Sequence, residues 1–230
     1  ENVARLINSQ LACLDYRKRH LDLADDVGEE TARLLDAARS GRLLSRWTSA
    51  STVHTSVVDD TGTGCSITAS SGYGSGEIPA GTGLWLNNCL GEIELNRRGL
   101  DAGPVGSRLP SNMTPGVARR DGAVLAVGSP GADRITTAMQ QFLINHLQFN
   151  MSLTDAIGHP RLHVDMSGDE TRLMCEPGLH IPVTGLQRTD FPEIVMYFGG
   201  VGAALWNEKS GLECAADPRR EGGTCIYNAR

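Results

Sequence analysis

Eleven residues divide this sequence more sharply than any other feature. From Ser45 to Thr55 it reads Ser-Arg-Trp-Thr-Ser-Ala-Ser-Thr-Val-His-Thr, small and hydroxyl-rich with no helical period, which predicts an exposed extended connection. Upstream, residues 1–44 carry Leu6, Leu11, Leu14, Leu21 and Leu23, then Ala32, Leu34, Leu35 and Ala38, at three- and four-residue intervals among charges. That spacing predicts helices, the second stopped by Gly41. Downstream the character turns to β. His54–Asp59, a turn through Asp60-Thr61-Gly62-Thr63-Gly64, and Cys65–Ala69 form a hairpin pattern.

Beyond the hairpin, glycine dominates 72–83, and Ala123–Val127 reads as a strand running into Gly128-Ser129-Pro130-Gly131-Ala132. A helix follows with Ile135, Ala138, Met139, Phe142, Leu143 and His146 on one face, which must be buried. Ser152, three residues before Asp155, is the N-cap signature of a further short helix. Strands are expected around Arg172–Cys175, Ile194–Phe198 and Ala203–Trp206. Strands on either side of two packed helices predict an α+β sandwich, not an alternating βαβ fold.

Composition narrows the function classes. No run of 18 apolar residues exists to span a membrane. The formal charge is −6, with the basic residues scattered and only two lysines, so no polybasic face awaits nucleic acid. Six cysteines show no C-x-x-C spacing, which argues against zinc, iron–sulfur and thioredoxin-type sites and favours buried free thiols, leaving the compartment open. His159 and His163 are four apart, but Pro160 breaks the helix that would align them, so no metal site is expected. Gly72–Gly76 lacks the Gly-Lys-Ser/Thr end of a phosphate loop, so no nucleotide or other cofactor is implied. The chain opens on Glu1-Asn2-Val3, which reads as starting inside something longer or after a removed segment.

The junction itself offers chemistry. If the bond between Ser51 and Thr52 were broken, Thr52 would hold a hydroxyl nucleophile and its own α-amine base, whose pKa of about 7.7–8.0 suits neutral pH. On spacing alone a threonine before a strand is more often a turn residue. Read with the later segments it acquires a context: Thr52-x-His54-x-Ser56-Val57-Val58-Asp59, Tyr73-Gly74-Ser75-Gly76, Gly81-Thr82-Gly83-x-x-Leu86-Asn87-Asn88, Met113-Thr114-Pro115, Gly128-Ser129-Pro130-Gly131, Pro160-Arg161-x-His163, and Ala216-Asp217-Pro218-Arg219-Arg220-Glu221-Gly222, in this order.

Together these segments resemble the γ-glutamyltransferase family over Thr52 to about Gly223, matching its small catalytic subunit. The resemblance implies an N-terminal nucleophile hydrolase: an αββα sandwich made as a precursor and cut before its own threonine. Residues 1–51 would then be a large-subunit-like tail with its linker, and 52–230 the catalytic region. Thr52 matches the nucleophile and Ser51-Thr52 the cleavage site. Gly131 and Ala132 match the oxyanion pair, with Ala132 replacing a second family glycine. Because the donor there is backbone N–H, a methyl is tolerable if φ is negative.

For substrate, Ser70 takes a family threonine position and Gly72 falls near a family asparagine. Glu92 matches an aspartate that holds the substrate ammonium. Ser111 and Asn112 take the place of paired serines that hold its carboxylate. His54 and Ser56 match the motif but are not expected to act directly. The implied function is γ-glutamyl hydrolysis or transfer through an acyl-enzyme ester, with a γ-glutamyl or related amide as donor and water or an amine as acceptor. The changed positions keep alive a glutaryl or cephalosporin-type acylase, a poly-glutamate processing enzyme, or an unprocessed non-catalytic homologue. The resemblance also implies a large-subunit partner segment, not in this chain, that supplies an arginine.

Overall fold

A computed structural model describes residues 2–20, 26, 28–33, 52–72, 74–89, 103–166 and 170–227. The chain divides into two compact units, one of 1–51, 71–111 and 162–192 and the other of 52–70, 112–161 and 193–230. The expected Gly41 stop and the connection from Ser45 to Ser51 lie outside the described residues; Thr52–Thr55, expected in that connection, are already strand.

In the first unit, helix α1 (Asn2–Arg19) packs on a sheet of β5 (Leu162–Asp165), β6 (Arg172–Cys175) and β7 (Gln187–Asp190). Ile7 and Leu14 bury against Leu162, Val164, Leu173 and Cys175, with Leu6 and Leu11 at the margin. Each fully buried large side chain contributes about 1.5–3 kcal/mol. Gln10 faces the same core, and its Oε1 accepts from the Val164 N–H at 3.1 Å. A short helix α2 (28–33) is tied to α1 by Tyr16, whose hydroxyl donates to Glu30 at 2.5 Å.

The second unit is layered. Its central sheet runs β3 (Gly116–Arg120), β4 (Ala123–Gly128), β8 (Gly202–Asn207), β9 (Gly211–Ala216), all antiparallel. One face carries helices α3 (Arg134–Leu143), which runs on into a π-turn at Ile144–Gln148, and α4 (Leu153–Gly158), capped by Ser152 accepting from the Asp155 N–H. Leu125, Val127, Ile135, Met139, Phe142, Leu153 and Ile157 form the core between them. The expected inward face of α3 is the observed one, with His146 only half-buried at its end.

Against the other face lies the hairpin of β1 (Thr52–Val58) and β2 (Gly64–Ser70), touching β4 and β8. Asp59 closes its turn by accepting from the N–H groups of Thr61 and Thr63 at 3.0 and 2.7 Å. The hairpin's inward face is polar: Thr52, His54, Ser56, Ser66, Thr68 and Ser70, while Val53, Val57 and Ile67 point outward and are exposed. Ser66 and Ser56 donate to the Val127 and Gly202 carbonyls at 2.8 and 3.3 Å, so hydroxyl-to-carbonyl bonds stitch the two layers.

The α+β class expected from sequence is the one observed. Two expectations fail. Ile194–Phe198 holds a 3-10 turn at Met196–Phe198 instead of a strand, because the chain must swing Gly199 against the loop after β4. All six cysteines are free, but Cys13, Cys65 and Cys225 are exposed and only Cys175 is buried, where loss of water pushes its thiol up to about 11. Cys65 is exposed because it lies on the outward face of β2.

Candidate active site

Thr52 opens β1 on its inward face and is 9% exposed. The hairpin register sets it directly opposite Ser70, and its Oγ1 lies 3.3 Å from the Ser70 Oγ. These two residues, matched separately in the sequence, meet because β1 and β2 pair without a bulge from Thr52↔Ser70 to Val58↔Gly64. Thr52 lines a cleft of about 720 Å3 shared with Pro130, Gly200, Asp217 and Arg220.

The loop from Ser129 to Asp133 leads from β4 into α3. Gly131 has φ of 137°, and a Cβ on it would sit 2.5 Å from the Gly199 Cα, so no other residue fits. Ala132 has φ of 63°. The condition under which its methyl was expected to be harmless is therefore not met: the side chain stands in the left-handed region, at a cost of about 1–2 kcal/mol. Both residues are buried, and neither N–H donates to an acceptor among the described residues. Two successive buried amides without acceptors, just ahead of a helix, are a receptor for negative charge.

His54 is spoken for. Its Nδ1 lies 2.8 Å from the Thr68 Oγ1 and its Nε2 2.7 Å from the Ser56 Oγ. The ring packs on Gly128, where any Cβ would run into it. Burial lowers its pKa, favouring neutral imidazole with one donor and one acceptor nitrogen. Since Ser56 donates onward to Gly202, Nε2–H donating to Ser56 and Thr68 donating to Nδ1 satisfy every group. The imidazole is a structural pin of β1.

The other expected residues are dispersed. Asn112 is buried ahead of β3, and Ser111, its chain neighbour, is exposed and belongs to the other unit. Gly72 is buried at φ of 56°. Glu92 and Ser51 lie outside the described residues. His159 Nδ1 faces the Pro160 carbonyl at 3.0 Å and His163 is buried in β5; the described residues hold no group of three metal-ligating side chains.

One cluster was visible in the sequence only as two motifs. Asp217 accepts from Arg161 at 2.6 Å, from the Arg219 guanidinium and N–H at 3.0 Å each, and from the Val201 N–H at 2.8 Å. Both arginines bond in addition to carbonyls of Ile157, Phe198 and His159. The signal available in the sequence was an acid, Asp217, two residues ahead of the pair Arg219-Arg220.

The family model for gamma-glutamyltranspeptidase matches residues 6–227. The chain belongs to the γ-glutamyltranspeptidase family. Among curated relatives of this family, a glutathione hydrolase proenzyme of Escherichia coli is 31% identical over 164 residues, which cover 66% of this chain and 28% of that protein. A capsule biosynthesis protein CapD proenzyme of Bacillus anthracis is 28% identical over 200 residues, 82% of this chain and 36% of that protein. The chain thus spans roughly a third of these relatives. Among solved structures, the gamma-glutamyltranspeptidase of Pseudomonas nitroreducens complexed with L-DON is similar with a TM-score of 0.61 and 26% identity, covering 76% of this chain and 99% of that one. The fold is thereby of the N-terminal nucleophile hydrolase type, and the hairpin, central sheet and helices of the second unit are its ββα layers.

Proposed function

We propose that this chain carries the acyl-transfer machinery of a γ-glutamyl hydrolase or transferase, with Thr52 as nucleophile. The observation that carries the reading is the pairing, in one unit, of a buried β1-terminal threonine in an open cleft with two acceptor-free amides on the neighbouring loop.

The first step is maturation. The Thr52 hydroxyl attacks the Ser51 carbonyl, the Thr52 nitrogen leaves as the free amine with the hydroxyl's proton, and water hydrolyses the resulting ester to release the Ser51 carboxylate and restore the Thr52 hydroxyl. That amine, near neutral in pKa, then takes the hydroxyl proton as Oγ1 attacks the γ-carbonyl of a donor. Ser70 orients the hydroxyl. The Gly131 and Ala132 N–H groups receive the oxyanion, which in such sites is worth about 2.7–4 kcal/mol per donor. The leaving amine departs with the proton, and water or an acceptor amine cleaves the ester. Glu92 holds the donor ammonium, and Ser111 and Asn112 its carboxylate. Residues 1–51 act as the tail of a large-subunit-like segment and 52–230 as the catalytic region. A further large-subunit segment completes the site.

Intact mass tests this directly: incubation yields fragments 1–51 and 52–230, and a chain that stays whole under all conditions refutes maturation at Thr52. With any partner segment present, γ-glutamyl anilides should outrun glutaryl anilides; the reverse preference selects the acylase reading motivated by Ser111 and Asn112.

A further inference from the structure

The hairpin leaves one strip of the central sheet uncovered. Ala203, Leu205 and Ala215 pack into the helix-side core, so by strand alternation Ala204, Trp206, Leu212 and Cys214 point the other way. Trp206 fixes that direction, because a Cβ on Gly62 in the hairpin turn would sit 2.8 Å from its ring. The hairpin, however, lies over β4 and β8. Leu212 and Cys214 of β9, both half-buried, are left to line the cleft.

After the turn at 218–221 the chain comes back to this strip. A Cβ on Gly222 would sit 3.0 Å from the Ala216 Cβ. Ala216 pairs with Gly202, and Gly202 faces the His54 ring, so the returning segment starts level with β1 two residues from Thr52. Gly223, Thr224, Cys225, Ile226 and Tyr227 all line the cleft, and none of them makes a hydrogen bond among the described residues. The adjacent pair Gly222-Gly223 leaves the backbone free to pivot at its root. Two thiols share this wall: Cys214 half-buried on the strip, and Cys225 exposed on the segment. Cys225 is three residues past Gly222, at most about 10–11 Å of extended chain, and Cys214 two residues back from Ala216, about 6.6–6.8 Å of strand. A return along β9 therefore reaches the Cα separation of about 4.4–6.8 Å that a disulfide needs. The other cysteines do not compete, since Cys13, Cys89 and Cys175 belong to the first unit and Cys65 lies on the outward face of β2.

The geometry points to a reversible disulfide between Cys214 and Cys225 that latches the 222–227 segment across the β9 side of the cleft. A low-molecular-weight disulfide is the oxidant. The Cys225 thiolate attacks one of its sulfurs and expels a small thiolate; the Cys214 thiolate then attacks the Cys225 sulfur of the mixed disulfide and expels the second. The chain gives up two protons and two electrons, and one small disulfide becomes two thiols. Reduced, the segment pivots aside at Gly222-Gly223 and the cleft opens along β1. Bridged, it stands as a fixed wall opposite β1 and slows entry to Thr52. The gating rests on the reading of this cleft as an acyl-transfer site; the bridge does not.

The experiment has two arms. In the first, the full chain is incubated with cystamine, remaining thiols are blocked with iodoacetamide, and a non-reducing tryptic digest is mapped by mass spectrometry. Cuts after Arg219 and Arg220 put Cys214 and Cys225 on separate peptides, which stay joined only if bridged. The joined pair should form with cystamine and vanish with dithiothreitol. Cys214→Ser and Cys225→Ser should each abolish it, and Cys65→Ser should not. Both cysteines recovered blocked, each capped singly by cysteamine, or either joined to another cysteine overturns the proposal. This arm needs no turnover, so it decides the bridge whether or not Thr52 proves to be the nucleophile. In the second arm, with processed enzyme and any partner segment, the bridged form should lose roughly tenfold in kcat/KM on a γ-glutamyl anilide and recover it on reduction, while Cys214→Ser ignores cystamine. A bridge that forms without changing turnover overturns the latch. Absence of turnover in both redox states counts against the acyl-transfer reading and leaves the bridge to the peptide map.

Discussion

The second unit contains two polar regions built on opposite terms. Around Asp217, carboxylate and arginines spend their hydrogen-bonding capacity on one another and on backbone carbonyls, at side-chain exposures of 2% or less. At the mouth of β1, among the described residues, the Thr52 hydroxyl bonds only to Ser70, two loop amides have no acceptor, and the Arg220 guanidinium has no hydrogen-bond partner. The first region behaves as a fastener and the second as a receptor. Buried polar groups are costly unless satisfied, so a fold that leaves several unsatisfied together is holding them for something absent. Five substitutions separate the two regions by what they break.

The largest effect is expected at Thr52. Thr52→Ala should abolish conversion of the chain into fragments 1–51 and 52–230 and all turnover, while changing unfolding free energy by no more than about 1 kcal/mol, since only one hydroxyl contact is lost. Mass spectrometry and denaturant unfolding on the same sample test both halves. Retained cleavage at that bond would remove Thr52 from the mechanism.

Asp217→Ala should do the reverse. Removing the shared anion leaves Arg161 and Arg219 buried without their common counter-charge, which costs about 3–5 kcal/mol. A fall in the unfolding midpoint should accompany it whatever the catalytic state of the chain. A cost under about 1 kcal/mol would mean that the backbone carbonyls alone hold the two arginines.

These regions differed equally in how readable they were. The hairpin was legible from Asp60-Thr61-Gly62 between two short β-prone runs, and α3 from the helical recurrence of Ile135, Ala138, Met139 and Phe142. Strand orientation within the sandwich was not, because β1 and β2 turn Thr52, Ser56, Ser66, Thr68 and Ser70 inward and Val53, Val57 and Ile67 outward, the inverse of the usual pattern. β3 and β7 escaped because they are polar edge strands, Gly-Val-Ala-Arg-Arg and Gln-Arg-Thr-Asp, with no apolar alternation to read. Thr52 and Ser70 stood out only through a resemblance; their direct pairing is a matter of register. Nothing in the dipeptide Arg219-Arg220 announces that one guanidinium is spent and the other is not.

A smaller effect sharpens the receptor side. Ala132 sits at φ of 63° although its role needs only a backbone N–H. Ala132→Gly relieves the left-handed penalty of about 1–2 kcal/mol and returns part of it as unfolded-chain entropy, for a net stabilisation of about 0.5–1 kcal/mol. The melting temperature should rise by a few degrees with turnover kept. Gly131→Ala, by contrast, must displace Gly199 and should cost both stability and activity. If Ala132→Gly instead destabilises, the methyl is packing usefully and the strain is not idle.

The smallest expected effect lies between the two regions, at His54, and depends on pH. Burial lowers its pKa in the folded state, opposed in part by a backbone hydrogen bond at Ile67, and among the described residues Thr68, Ser56 and the glycines at 128 and 202 lie against the ring. In the unfolded chain the imidazole titrates near its ordinary value of about 6.5. Below that value the unfolded state binds a proton that the folded state refuses, so unfolding gains free energy as pH falls. The stability contribution of neutral His54 is therefore complete above about pH 6.5 and is lost progressively as pH drops from there towards the lowered folded-state pKa. Protonation would also turn Nδ1 from acceptor into donor, opposing the Thr68 hydroxyl that now donates to it. His54→Gln keeps one donor and one acceptor but does not titrate. It should be less stable than the wild type at pH 8 and lose less on going to pH 5, so the two stability profiles converge at acid pH. Parallel profiles would mean that the ring is not held neutral, and that His54 belongs with the unspent groups at the mouth of β1 and not with the fasteners.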